Sequence, residues 1–436
     1  MVVCVEAPLS NLKTVDQHGV GWITAVIAGM GLIASAVTSG LGHSNTAAHV
    51  AANAMSLFGY FQGQAMLSMT AVHLPPVVAA WTQNFDWAMG ILDIKFMQSI
   101  FHWYIQATGG TPANLRDRLS EVSVRIQKRG LELTQDASRA AMYGFTSTPW
   151  DTSSLPEGYN GLARRSDDNT AKINDQVVVV TGIERLSFKA NIEITNFFMT
   201  GLSFFIVFIV ATCLCVAAFK GISEFAIKMQ WIRGSKFVDF RNGWLTVLKG
   251  IMYRLVLIGF PQMSILCLWQ LTERDSAGAI VLAVFFFLSI FGILAWASFK
   301  VIMIAKRSTD LHKNPAYILY SDPSALNRWG FLYVQFRASS YYFIVPLLAY
   351  VLIKSMIIAF GQKNGKGQAI ALLLTELAYL VTVSVMRPYM DKRSNIFNIS
   401  ICAIMFINSI FLLVFTNIFN APVSFFFPTL KSRPLT

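Results

Sequence analysis

Eight long apolar runs decide most of what this 436-residue chain can become. They fall at roughly 20–41, 46–74, 194–219, 245–271, 278–305, 338–361, 367–387 and 395–419. A run of about 18 or more apolar residues crosses the ~30 Å hydrocarbon core of a bilayer as an α-helix. Lipid offers no partners to backbone N–H and C=O groups, so each run must satisfy its backbone internally, as a helix does. A membrane β-barrel would show short alternating segments instead, and these runs are continuous. The expected fold is therefore all-α and polytopic, with about eight transmembrane helices and a partly disordered luminal or extracellular loop. Only 13% of the residues are charged, against about 25% in soluble domains.

The net charge of +12 would suggest nucleic acid in a soluble chain. Its placement argues for a membrane, and no nucleic-acid partner is expected. Between the third and fourth runs sit Lys220, Lys228, Arg233, Lys236, Arg241 and Lys249. Between the fifth and sixth sit Lys306, Arg307, Lys313, Arg328 and Arg337, and after the seventh come Arg387, Lys392 and Arg393. The opposite short loops hold Arg274, Lys363 and Lys366, so the count is fourteen against three. Cytoplasmic loops carry the excess of Lys and Arg, which places the N-terminus in a lumen or outside the cell. The resulting plan is an N-terminal stub (1–19), a helical hairpin (20–74), a long luminal or extracellular loop (75–193), a six-span core (194–419) and a divergent tail (420–436). Four of the five cysteines lie within spans, so no disulfide framework is readable.

The hairpin holds the most unusual stretch, GLGHSNTAAHVAANAMSLFGYFQGQ at 40–64. Small residues recur along it at Ala48, Ala52, Ser56, Gly59 and Gly63, and the first run answers with Gly29, Ser35, Ala36 and Gly40. Such spacing lets membrane helices approach closely. A GxxxG face of this kind serves internal packing or a homodimer equally well. His43 and His49 are six residues apart, about 120° around a helix, which is poor geometry for one metal ion. No metal site is expected. Asn53, Gln62 and Gln64 are expected to bond across helices or face a polar cavity.

In the long loop, PPVVAAWTQNFDWAMGILDIKFMQSIFHWYIQ is rich in aromatics and reads as re-entrant or interfacial. From GGTPANL to about Gln176 the composition is polar, with disorder expected over STPWDTSSLPEGYNGLARRSDDNTAK. GIERLSFKANIEIT then puts Ile183, Leu186, Ala190 and Ile194 on one stripe leading into the third span. After that span, Ile222, Phe225, Ala226, Met229 and Ile232 share a face, as in a helix lying in the cytoplasmic interface; a plain connector is the alternative.

Polar groups inside spans are costly and tend to be functional. Lys354 lies in the sixth span and Glu376 in the seventh. Counted from the connecting turn at 1.5 Å per residue, both sit roughly 10–12 Å deep, so an ion pair is expected between adjacent antiparallel helices. It would act either as a structural clamp or as a charged element beside a permeation path. In the fourth span GFPQMS is expected to kink at Pro261 and free a carbonyl, with Gln262 beside it. Asn408 in the eighth span completes the candidates. Signatures of metalloproteases, P-loops, serine hydrolases and EF-hands are absent, and the chain is not expected to be an enzyme.

Several long blocks resemble a known family. VGWITAVIAGMGLIASAVTSGLGHSNTAAHVAANAMSLFGYFQGQAM, VHLPPVVAAWTQNFDWAMGI, GIERLSFKANIEITNFFMTGL, RWGFLYVQFR and MRPYMDKRSN are similar to the fungal TRP-like membrane proteins called flavin carriers. The resemblance implies polytopic proteins with a secretory signal and a luminal ML-type lipid-recognition domain before the first span, and a further span and cytoplasmic tail after the last. It also implies links to FAD import into the endoplasmic reticulum, haem handling, calcium homeostasis and cell-wall maintenance. The chain departs from that pattern at both ends, where it lacks the ML-like domain and ends in SFFFPTLKSRPLT, so a fragment is expected. The implied setting is the endoplasmic reticulum, another endomembrane or the plasma membrane. The expected function is movement of Ca2+ or FAD across it; the alternative is a lipid-sensing or lipid-organising scaffold. Membrane lipids and a second copy of the chain are the expected partners. No bound cofactor is expected, and FAD enters only as cargo.

Overall fold

The computed structural model describes residues 19–40, 44–92, 94–112, 182–190, 192–230, 238–321, 329–330 and 332–416. The expected stub, the polar loop to Gln176 and the tail lie outside these residues. The helices are α1 (Val20–Gly40), α2 (Ser44–Ser68), α3 (Pro76–Gln83), α4 (Lys95–Ala107), α5 (Gly182–Lys189), α6 (Ile194–Lys228), α7 (Val238–Glu273), α8 (Ala277–His312), α9 (Ala316–Ser321), α10 (Ile344–Phe360), α11 (Gly365–Met386) and α12 (Lys392–Phe415). Among the described residues no extended strand forms; one isolated antiparallel bridge joins Phe336 and Tyr389.

The chain is an all-α integral membrane protein. Six helical segments among the described residues are long and apolar enough to cross a bilayer, and they correspond to the third through eighth runs. Of the hairpin, α1 has a shorter described apolar stretch, Val20–Ala34. The second helix is interrupted by Asn53, Gln62 and Gln64.

Helix ends follow local chemistry. Ser276 caps α8 by accepting from the Ala279 N–H (3.2 Å), and Asn364 caps α11 by accepting from Gly367 N–H (3.0 Å). Arg274, Lys313 and Arg387 take left-handed dihedrals just past α7, α8 and α11, the conformation that closes many helices.

The bundle has an upper end carrying the described residues of 69–112 and 182–193 and a lower end carrying those of 313–343 and 387–391. The central helix is α7: residues 259–270 are buried without interruption, as expected of a helix surrounded by others. Helices α2, α6, α8 and α10 pack around it. Apolar side chains such as Phe285, Leu288 and Val385 point outward, where lipid would lie. Two buried clusters form the interior. The upper one includes Phe197, Leu266, Trp269 and Ala369; the lower one includes Val301, Leu332, Phe336 and Val383. Leu257 and Leu348 pack against both.

Several expectations need correction. No separate interfacial helix forms over the described residues of 222–232, because α6 continues unbroken to Lys228. The only helix breaker between Ala218 and Lys228 is Gly221, and one glycine costs about 1 kcal/mol. At 35 residues and 1.5 Å per residue, α6 exceeds the ~30 Å hydrocarbon thickness. The stripe of Ile183, Leu186, Ala190 and Ile194 is split, since α5 ends at Lys189 and α6 begins at Ile194. The dihedrals of α7 stay helical through Pro261, and the departure comes at Gly243 (φ −112°, ψ 15°).

The aromatic segment forms α3, a short turn and α4 at the upper end. Phe101 and Ile105 of α4 are buried, whereas Phe96, Ile100 and Trp103 are exposed. Its Gln98 ties to α6 by donating to Thr200 Oγ1 (2.9 Å) and accepting from Asn196 Nδ2 (3.2 Å). Two glutamines lock the rest of the upper end. Gln362 donates to Met69 O (2.9 Å) and accepts from Ile183 N–H (3.2 Å). Gln368 accepts from Ala71 N–H (2.7 Å) and donates to Ile358 O (3.1 Å). In the turn between α7 and α8, burial raises the Asp275 carboxyl above its ordinary range, and a hydrogen bond from Gln270 partly offsets this.

Candidate functional site

Lys354 of α10 and Glu376 of α11 meet in the interior, Nζ to Oε1, at 2.6 Å. Both are buried, at 5% and 3% exposure, so the charges are held against protein rather than lipid. Taking two charges out of water costs several kcal/mol per ion unless geometry and further hydrogen bonds repay it. Here the repayment includes Tyr350, one helical turn before Lys354. Its hydroxyl donates to Glu376 Oε1 and Oε2 (2.9 Å each). Lys354 Nζ also donates to the Tyr350 hydroxyl (3.4 Å). The Tyr350 ring stacks on Tyr379 with centroids 3.9 Å apart and planes 9° apart. Tyr379 and Tyr389, the latter just past α11 at the lower end, border the same void as Tyr350.

Beside the pair lies a cavity of about 180 Å3 bordered by α2, α7, α10, α11 and α12. A single water needs about 10–15 Å3, so several fit, and a small cation with part of its hydration shell fits as well. Drug-sized ligands occupy about 300–1,000 Å3, and a flavin dinucleotide is larger than the smaller of these. Most of the lining is apolar, from Phe58, Met66, Leu347 and Val351 among others; the polar groups include Ser56, Gln62, Tyr350, Lys354 and Asn398.

The other sequence candidates distribute as follows. Gln62 is buried and crosses to α7, donating to Ile258 O (2.8 Å) and to Ala88 O (3.3 Å). Pro261 has no N–H to give to the preceding turn, and Gln62 supplies a donor one residue from the carbonyl this leaves. Both residues line the cavity. Gln262 turns away from it and donates to Gly201 O of α6 (3.1 Å), which makes it a packing contact. Asn408 is half-buried in a second void of about 380 Å3 near the upper end. Asn53 is exposed and borders a narrow void of about 10 Å3 at the lower end. Neither Asn408 nor Asn53 lines the cavity beside the ion pair.

Sequence reasoning missed Tyr350, Tyr379 and Tyr389. A signal was present: Tyr350 stands four residues before Lys354 and Tyr379 three after Glu376, and such spacings share a helix face. His43 and His49 lie where side chains are not described. Among the described residues no three His, Cys, Asp or Glu side chains converge as a metal would need.

The glycine motif of α2 is used unequally. A Cβ on Gly63 would overlap Met405 Cε of α12, whereas one on Gly59 would meet nothing within 4 Å. Gly59→Ala is therefore expected to be neutral or stabilising by up to about 1 kcal/mol. Gly63→Val is expected to cost about 1–3 kcal/mol through overpacking. Thermal unfolding of the two variants in detergent checks the contrast, and equal effects would show that α2 does not pack through Gly63.

Residues 20–425 match the family described as "Transient receptor potential (TRP) ion channel". The chain belongs to this family. Among relatives, Flavin carrier protein 2 of Saccharomyces cerevisiae is 40% identical over 423 residues, covering 97% of this chain and 52% of that protein. Flavin carrier protein 1 of the same yeast is 39% identical over 420 residues, 96% of this chain and 50% of that protein. The TRP-like ion channel pkd2 of Schizosaccharomyces pombe is 32% identical over 419 residues, 96% and 55%. The chain thus spans about half the length of these relatives. Their names are those of carriers and channels, and none of them names an enzyme. No solved structure matches.

Proposed function

We propose that this TRP-family chain is a transmembrane transport unit, and that its cargo is a small cation such as Ca2+ rather than FAD. The observation that carries the reading is the cavity of about 180 Å3 walled by five helices and bordered by the buried Lys354–Glu376 pair. Ionisable groups inside membrane helices face the bundle interior or a water-filled cavity, and they mark ion pathways. The cavity is small for a flavin dinucleotide and ample for a partly hydrated ion. A cation arriving there would compete with Lys354 for Glu376, so the pair would act as a counter-charged barrier. By the charge asymmetry of the loops, the upper end is luminal or extracellular, in the endoplasmic reticulum or at the cell surface.

A second reading, a lipid-sensing scaffold, draws on the exposed Phe96, Ile100 and Trp103 of α4, an aromatic surface suited to a headgroup region. Reconstitution separates the two. Liposomes containing the chain are expected to take up Ca2+ and not FAD. Lys354→Ala and Glu376→Ala, assayed as folded protein, are expected to change the flux at least tenfold. FAD uptake would reassign the cargo. Lipid scrambling without ionic current would favour the scaffold, and silence toward both solutes in folded protein would remove the transport reading.

A further inference from the structure

Three of the voids share residues in sequence along one seam. The lower void, bordered by Asn53 and Asp391, has Ser56, Gln335, Tyr389 and Asn398 in common with the cavity at the ion pair. That cavity shares Tyr60 with the upper void, where Gln64 and Asn408 are the polar groups beside it. The register climbs in step on two helices. On α2 it passes from Asn53 through Ser56 and Tyr60 to Gln64; on α12 it passes from Ser394 through Asn398 and Cys402 to Asn408 and Phe415. From Ser394 to Phe415 the rise is roughly 31 Å at 1.5 Å per residue, about the hydrocarbon thickness of a bilayer. An amide, hydroxyl or charged group therefore borders the seam at every turn or two. Such groups are what an ion needs where it sheds water.

Resting on the transport reading, we propose that the permeation path runs within a single chain along the α2–α12 seam, and that Tyr60 closes it between the middle and upper voids. Tyr60 is the residue both voids have in common. Below the ion pair the path narrows to about 10 Å3, room for one water at most, so the lower neck also has to widen for conduction. The voids on either side of Tyr60 measure about 180 and 380 Å3, so the ring rather than a general lack of space separates them.

Thiol labelling reads this path without any cargo, so it holds or fails separately from the flux assay. In a background lacking the five native cysteines, Ser56→Cys and Asn408→Cys are placed in liposomes sorted for one orientation. A membrane-impermeant thiol reagent is then applied from either side. Asn408→Cys is expected to react from the upper side with at least a tenfold preference, whereas Ser56→Cys, behind the narrow neck below and the Tyr60 ring above, is expected to react at least tenfold more slowly than Asn408→Cys from either side. Adding Tyr60→Ala is expected to speed the reaction of Ser56→Cys from the upper side at least tenfold, while Tyr60→Phe, which keeps the ring, is expected to leave it slow. Thermal unfolding confirms that each variant is folded. Fast reaction of Ser56→Cys from the upper side with Tyr60 in place, or no change on adding Tyr60→Ala, would overturn the proposal.

Discussion

Replacing Lys354 alone with Met is expected to destabilise the bundle by about 3–5 kcal/mol, and replacing Lys354 with Met and Glu376 with Leu together is expected to recover most of that loss. The single variant leaves the Glu376 carboxylate buried at 3% exposure with only Tyr350 to answer it. The double variant removes both charges, so the remaining cost is mainly the Tyr350 hydroxyl left without its acceptor, about 1–3 kcal/mol. Thermal unfolding in detergent measures the three proteins side by side. A double variant no more stable than the single one would mean that the pair contributes net stability beyond mutual neutralisation. The same double variant also separates structure from function: a folded protein whose flux changes at least tenfold assigns the pair to transport, and a folded one with unchanged flux assigns it to the scaffold.

The second large effect is expected at Gly182, where α5 begins. This glycine has φ +61°, and a Cβ there would overlap Gln362 Oε1. An alanine in the left-handed region costs about 1–2 kcal/mol. Pushing Gln362 aside also removes its bonds to Met69 O and from Ile183 N–H, each contributing about 0.5–1.5 kcal/mol. Gly182→Ala is therefore expected to lose about 2–5 kcal/mol. Gly109 is the control, since it has φ +80° with nothing within 4 Å of an added Cβ, so Gly109→Ala meets only the conformational cost. If the two alanine variants unfold at the same temperature, the Gln362 lock contributes nothing measurable.

Much of the site was legible because membrane burial is so selective. A lysine and a glutamate in otherwise apolar runs have few tolerable arrangements, and the count back from the 361–367 turn placed them level. The same logic made Gln62 a cross-helix donor and Pro261 a place where one is needed. What failed to read out depended on rotation about helix axes. Gln262 adjoins Pro261 in sequence, yet one step of 100° turns it to α6 and away from the cavity. Asn53 and Asn408 carry the same amide as Gln62, but one faces outward at the lower end and the other faces a different void. Apolar periodicity also misled over 222–232. A stripe on one helix face marks what that face prefers, while continuation from the preceding span is decided by the absence of a breaker.

By itself the sequence determined the class of the molecule, the six long spans of its core and the depth of each ionisable group along its helix. Those follow from the free energy of moving backbone and side chains into hydrocarbon, which is additive along the chain and local. Only the tertiary structure decided which faces meet. Tyr350 closes over the ion pair, the voids share residues along the α2–α12 seam, and one of the two glycines of α2 receives a neighbour. These depend on helix rotation and on contacts between residues hundreds of positions apart, which no local pattern encodes.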